Sequence, residues 1–261
     1  MSTDTLKPKR IFNCKLTRTP HIQKLTFSVP NLPEKVDLRS KCGKVFDQGD
    51  IGSCTSEATC SAYMFDDPHF EPSRLYLYYK ERLADGDPKD DNGSTLTQAI
   101  NTAKKGICSE KSWPYKPHKF KEAPPSHCDE EAKHHKVLES YQIEQTLASM
   151  RGCLASGFPF CVGVAVYPSF ENSTDGNIPM PGANEECIGG HAIMIVGYDM
   201  KANIWIFKNS WGSDWGHSGY GVLPINYLLN PQLTSDLWKI TKVDSRVESE
   251  GIMQYLGSFI W

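Results

Sequence analysis

At 261 residues, with 39% hydrophobic and 23% charged residues, the chain is long enough for one large domain or for two lobes around a shared interface, and its composition suits a soluble globular protein. No apolar run reaches the length of a membrane span, and residues 1–10 are polar and Pro/Lys-rich, unlike a secretory signal. The net charge of −3 conceals an asymmetry: residues 1–30 hold six Lys/Arg and one acid, Asp4, for +5, so the remainder sums to −8. A basic arm beside an acidic body can bind nucleic acid or a membrane, but docking on its own domain satisfies the same charges. The charges alone leave all three open, and the chain reads as a monomer.

In chain order, the small-residue turn Gln48-Gly-Asp-Ile-Gly-Ser-Cys54 leads into a predicted helix over 55–65, with Ala58, Ala62 and Phe65 on one stripe. Cys54 then stands at a helix N-terminus, where unpaired N–H groups and the positive end of the dipole favour a thiolate. A thiolate attacks carbonyls, whereas the plain alternative is a small buried hydrophobe. Ser73 is placed to cap an amphipathic helix reaching Arg82, and 85–94 is a polar Gly/Asp/Pro loop. A helix over 95–105 carries Leu96, Ala99, Ile100 and Ala103 on its apolar face and stops at Gly106. Residues 112–125 read as loop, 130–140 as a short charged helix, and 143–156 as a helix ended by Gly157.

From Phe158 the pattern changes to short apolar strands over 160–167, 191–199, 204–209 and 219–224, separated by Gly, Pro, Asn and Asp turns. Residues 228–240 read as a helix and strand packed on this half, and 253–261 are apolar enough to be buried. A helical first half before a β-rich second half implies an α+β fold with a cleft between two lobes. None of the nine cysteines is in a Cys-x-x-Cys pair, which argues against zinc or thioredoxin-type chemistry; no metal or organic cofactor is expected.

Two distant motifs bear on Cys54. His191 opens an apolar strand directly after Gly189-Gly190, 137 residues beyond the cysteine, and Asn209-Ser-Trp-Gly212 lies 155 residues beyond it. With Leu32-Pro33-Glu34 and Gln48…Cys54 ahead of them, these motifs resemble, in the same order, those of the papain-like (C1, cathepsin-type) cysteine peptidases from about Leu32 to Pro224. The resemblance implies a papain-like two-lobed fold, with a helical N-terminal lobe over roughly 40–142, a β-barrel-like lobe over roughly 143–261, and the active-site cleft between them. It also implies a thiol-dependent endopeptidase acting on peptides or proteins. Cys54 would be the nucleophile, His191 its base, Asn209 the residue that orients the base, and Gln48 an oxyanion donor beside the Cys54 N–H. Trp211 would shield the His191–Asn209 bond from water.

The same resemblance assigns Gly93 and Ser94 to the groove that pairs with substrate backbone, Gly190 to the neighbouring subsites, and Gly163 to the wall of the pocket for the side chain two residues before the cut (P2). A missing side chain at Gly163 implies a preference for bulky apolar P2 residues. Ser94 stands where a second glycine is usual and is expected to crowd the groove; Thr55 replaces an aromatic residue, and Gly190 precedes His191 in place of an acid or aliphatic residue. Residues 1–30 occupy the place of a propeptide, much shortened as in some compact bacterial and viral relatives, so they are expected to lie along the cleft as an autoinhibitor, with no nucleic-acid or membrane partner. Ile51 removes the cysteine of a usual disulfide and a glycan at Asn92 would obstruct the groove, so a reducing intracellular compartment, or virion and host cytoplasm, is expected. The pair His134-His135 lacks the setting of an exopeptidase loop and reads as a solvated helix face. An acyl-transferring ligase and a catalytically silent binding homologue are the alternatives.

Overall fold

The computed structural model describes residues 10–17, 24–27 and 31–244; the apolar stretch 253–261 lies outside them. After a short strand β1 (Lys35–Asp37), the first half is helical, with α1 (Cys54–Asp66), α2 (Arg74–Ala84), α3 (Leu96–Ala103) and α4 (Ser126–Ala132). Ser73 and Thr95 cap α2 and α3 by accepting hydrogen bonds from Tyr76 N and Gln98 N, so the expected starts come from side chains that satisfy orphan N–H groups. The second half runs β2 (Val137–Gln142), α5 (Leu147–Ala155), β3 (Phe160–Val166), α6 (Pro168–Glu171), β4 (Gly189–Asp199), β5 (Ile204–Lys208), β6 (Tyr220–Pro224), α7 (Ile225–Leu229) and β7 (Thr234–Val243).

These strands form one antiparallel sheet in the order β2-β7-β3-β4-β5-β6. β4 is long enough to pair with β3 along Gly189 to Ile195 and then with β1 along Gly197 to Asp199, so β1 continues the line that β3 leaves. The central helix α1 is buried from Cys54 to Met64, which explains its small residues Ser56, Ala58, Thr59, Cys60, Ser61 and Ala62. It packs on β3, β4 and β7 on one side and on α2 and α3 on the other, and Cys161 Sγ of β3 donates to Ala58 O at 3.2 Å.

The helix expected over 130–140 is not there. α4 ends at Ala132, and Val137–Gln142 is instead the outer strand of the sheet, with Ser140 opposite Ile240. Pairing with β7 overrides a locally helical, charged pattern, and an edge strand tolerates exposed Glu139. His134 and His135 sit in the turn between them, His134 exposed and His135 stacked on Phe70 at 3.8 Å. The helix expected over 143–156 is likewise shorter, because Ile143 N bonds Leu237 O and the helix begins only after Thr146, whose side chain caps it.

Beneath α1, Arg74 bridges Glu57 and Glu110 at 3.3 Å to each, with its guanidinium over the rings of Phe46 and Tyr115. Burial pushes the Glu57 carboxyl up to about 7 although Arg74 opposes it. Removing one member of such a buried group strands the other charge, so Arg74→Met is expected to cost ~3–5 kcal/mol in urea unfolding. The penalty should be larger at about pH 8 than at about pH 5, since a protonated Glu57 no longer needs the cation. A cost below ~1 kcal/mol at both values would contradict this role.

Candidate active site

The loop before α1 is tied down from several directions. Gly52 N donates to the Asp91 carboxylate at 3.0 Å, and Gln48 N donates to Ser210 O at 2.9 Å. Tyr115 Oη donates to Gln48 O at 2.9 Å and lies 2.6 Å from Ser53 Oγ. Ser53 takes the cap position without a side-chain cap bond, so the first N–H groups of α1, beginning with Cys54, are left without intrahelical partners. Cys54 is fully buried at this positive helix end.

The β4–β5 hairpin brings two further residues to the same place. His191 lies opposite Val164 near the start of β4, and Asn209 follows β5 directly. Asn209 Oδ1 accepts from Ser210 N at 2.9 Å, which identifies it as the amide oxygen; the 2.8 Å contact from His191 Nε2 is therefore an N–H donated to that oxygen. With Nε2 engaged, Nδ1 is otherwise unpartnered and is the ring atom left for the Cys54 thiol. Trp211 stacks on the imidazole at 4.9 Å and 24°, with Phe170 edge-on to both rings, so the His191–Asn209 bond is walled off from water.

Gln48 is buried in the same group. Its Oε1 accepts from Ser210 Oγ at 2.7 Å and its Nε2 donates to Ile51 O at 3.0 Å, which fixes the amide while a second N–H remains on the nitrogen. The Cys54 thiol is held well below the usual thiol range. Its largest cause is a hydrogen bond from Cys14; burial opposes, and the pairing with His191 and the Ala192 N–H add to the lowering. Cys14 is correspondingly pushed well above that range, by its bond to Cys54 and by burial.

The expected groove residues all meet residues 10–16. Ser94 O accepts from Lys15 N at 2.8 Å, Gly190 O from Cys14 N at 3.0 Å, and Gly190 N donates to Phe12 O at 3.2 Å. A Cβ on Gly190 would lie 2.1 Å from Cys14 O, and one on Gly93, whose φ is +62°, would lie 1.9 Å from Asn13 O. A Leu16 methyl would lie 2.8 Å from a Cβ on Gly163. Arg10 lies over Trp211 at 3.9 Å, and Phe12 stands edge-on to both Trp211 and His191.

One expectation needs correcting. Ser94 does not crowd the groove: its side chain is buried toward Glu81, which also accepts from Thr55 Oγ1 at 2.6 Å. Burial pushes the Glu81 carboxyl well above its usual range. Sequence reasoning did not anticipate Glu81, Tyr115 or Cys14 at this site. Glu81 and Tyr115 sit in charged-helix and loop contexts, and no local pattern marks Cys14. Among the described residues no group of three His, Cys, Asp or Glu side chains is placed to hold a metal ion.

Comparison with known proteins agrees with this geometry. The model of the papain family of cysteine proteases matches residues 32–228. An uncharacterized peptidase C1-like protein of Acanthamoeba polyphaga mimivirus is 38% identical over 215 residues, covering 76% of this chain and 69% of that one. Cysteine proteinase 3 of Entamoeba histolytica is 29% identical, covering 75% of this chain and 64% of the amoebal protein. Among solved structures, xylellain, a cysteine protease from Xylella fastidiosa, superposes with a TM-score of 0.84 at 33% identity over 91% of this chain and 98% of its own. Procathepsin B S9 from Trypanosoma congolense, at 17% identity and a TM-score of 0.70, shares the fold. Its motifs, its fold and these relatives agree: the chain belongs to the papain family of cysteine proteases and is a cysteine peptidase.

Proposed function

We propose that the protein is a thiol-dependent endopeptidase in which Cys54, His191, Asn209 and Gln48 carry the reaction. The observation that supports this most is the directed bond from His191 Nε2 to Asn209 Oδ1 at 2.8 Å, which leaves Nδ1 for Cys54. Cys54 Sγ attacks the scissile carbonyl as a thiolate. His191, the imidazolium partner of that thiolate, then gives its Nδ1 proton to the leaving amine, and as a neutral ring it takes a proton from the water that hydrolyses the acyl-enzyme. Asn209 holds the ring in the required tautomer throughout. The developing oxyanion is received by the Cys54 backbone N–H and the second N–H of Gln48 Nε2.

The reading extends to two finer points. The Leu16 methyl against Gly163 supports a P2 pocket that accepts a bulky apolar side chain. The backbone bonds of Phe12, Cys14 and Lys15 to Gly190 and Ser94 support the N-terminal segment as an autoinhibitor, because they consume groups that an added substrate strand would use.

The test is turnover of dipeptidyl fluorogenic amides, with product analysis in the presence of an added amine. Amides with Leu or Phe at P2 should be cleaved faster than those with Asp, and hydrolysis should outrun transfer to the amine. Gln48→Ala should lower kcat by ~10²–10³ with little change in KM, the mark of an interaction made only in the transition state. Predominant transfer to the amine would replace the peptidase reading with that of a ligase.

A further inference from the structure

Within the covering segment, Cys14 is the cysteine beside the proposed nucleophile. The two thiols face each other, and both side chains are buried. The backbone around it leaves little room to move away: Cys14 N is bound to Gly190 O, Phe12 O to Gly190 N, and Lys15 N to Ser94 O. Asn13 Nδ2 is also tied to Asp91 O at 2.5 Å, and Thr17 Oγ1 to the Asp236 carboxylate. Three successive residues are thus pinned across Gly93 and Gly190, where the absence of a Cβ lets the segment approach closely.

We propose that Cys14 is the resolving thiol for Cys54, so that a low-molecular-weight disulfide such as oxidised glutathione converts the pair to a Cys14–Cys54 disulfide and fastens the segment over the site. The geometry that carries this is two buried, facing thiols held by a backbone ladder. The other close pair among the described residues, Cys108 and Cys128, differs in kind. Burial raises both of those thiols, whereas Cys54, at the start of α1, is held low. The proposal rests on the reading of Cys54 as a reactive thiolate, but not on peptide hydrolysis.

The electrons balance as follows. Cys54 is fully buried under the segment, so the first step takes place while the segment is lifted. The Cys54 thiolate attacks one sulfur of the oxidised glutathione, the glutathione S–S bond breaks, and one glutathione thiolate leaves and takes a proton from solvent. When the segment returns, Cys14 gives up its proton and attacks Cys54 Sγ. The mixed disulfide breaks, and the second glutathione leaves as a thiolate that is protonated in turn. Two protein thiols are oxidised to one disulfide, and one oxidised glutathione is reduced to two thiols. A reduced thiol reverses both steps.

Full-length protein is treated with oxidised glutathione, its remaining thiols are alkylated, and it is digested with trypsin without reduction. The expected product links the peptide 11–15 to the peptide 45–74, with tandem mass spectrometry separating Cys54 from Cys60, which shares that peptide. Turnover should be lost almost completely and recovered on adding dithiothreitol. Cys14→Ser should instead retain glutathione on Cys54, and Cys54→Ala should leave Cys14 alkylatable. A wild-type protein that keeps glutathione on Cys54 with Cys14 free, that pairs Cys54 with any other cysteine, or that is not oxidised at all would overturn the proposal. A reduced protein that cleaves no peptide yet forms the 14–54 link would remove the peptidase reading and leave this one standing.

Discussion

Cys54→Ala, His191→Ala and the double substitution should all fall to the same residual rate, ~10⁵-fold or more below the wild type in kcat/KM. Nucleophile and base act as one unit, so removing either disables the step that the other serves, and the losses do not add. The arrangement supports this coupling: His191 is bound to Asn209 Oδ1 through Nε2, its Nδ1 is left for Cys54, and Trp211 is stacked over the ring. Initial rates on one fluorogenic amide, with folding checked by circular dichroism, measure it. A double variant slower than either single one by a further factor of ~10³ would mean that the two residues act independently.

Removing residues 1–30 from the folded protein should raise kcat/KM on the order of 10²-fold, because a tethered segment competes at an effective concentration in the millimolar range. The change should appear mainly in KM if the segment only occupies the groove. A synthetic peptide spanning residues 10–17, added back in trans, should inhibit competitively and more weakly than the tethered form. Insertion of a specific protease site ahead of residue 31 allows the cut to follow folding. Unchanged turnover after complete cleavage would show that Phe12, Cys14 and Lys15 do not obstruct substrate.

Much of the architecture was legible because its boundaries are written in side chains. Ser73 and Thr95 mark helix starts, and Gly, Asn and Asp punctuate the strands β3 to β6. β1 and β2 were not legible. Three residues with only Val36 facing inward carry no periodicity, and β2 becomes a strand only through its partner β7. The meeting of Cys54, His191 and Asn209 could be read from motif order, and the β4–β5 hairpin supplies the physical reason. Glu81 lies in a helix read only as amphipathic, and nothing there signals that it receives Thr55 from inside the protein. That residues 1–30 lie along the cleft was expected, but which of them are held was not legible, because the hold on Phe12 to Lys15 is made largely by main-chain groups, which every residue type offers.

β4 sets the His191 position near its start, and the helix that presents Cys54 lies against the same strand, anchored also through Cys161 of β3 to Ala58. Nucleophile and base are therefore surveyed from a single datum. Their spacing does not depend on how two halves of the molecule lean toward each other, and a site built this way has little use for a hinge. Across the opening lie a few N-terminal residues, bound to Gly190 at the head of that same strand.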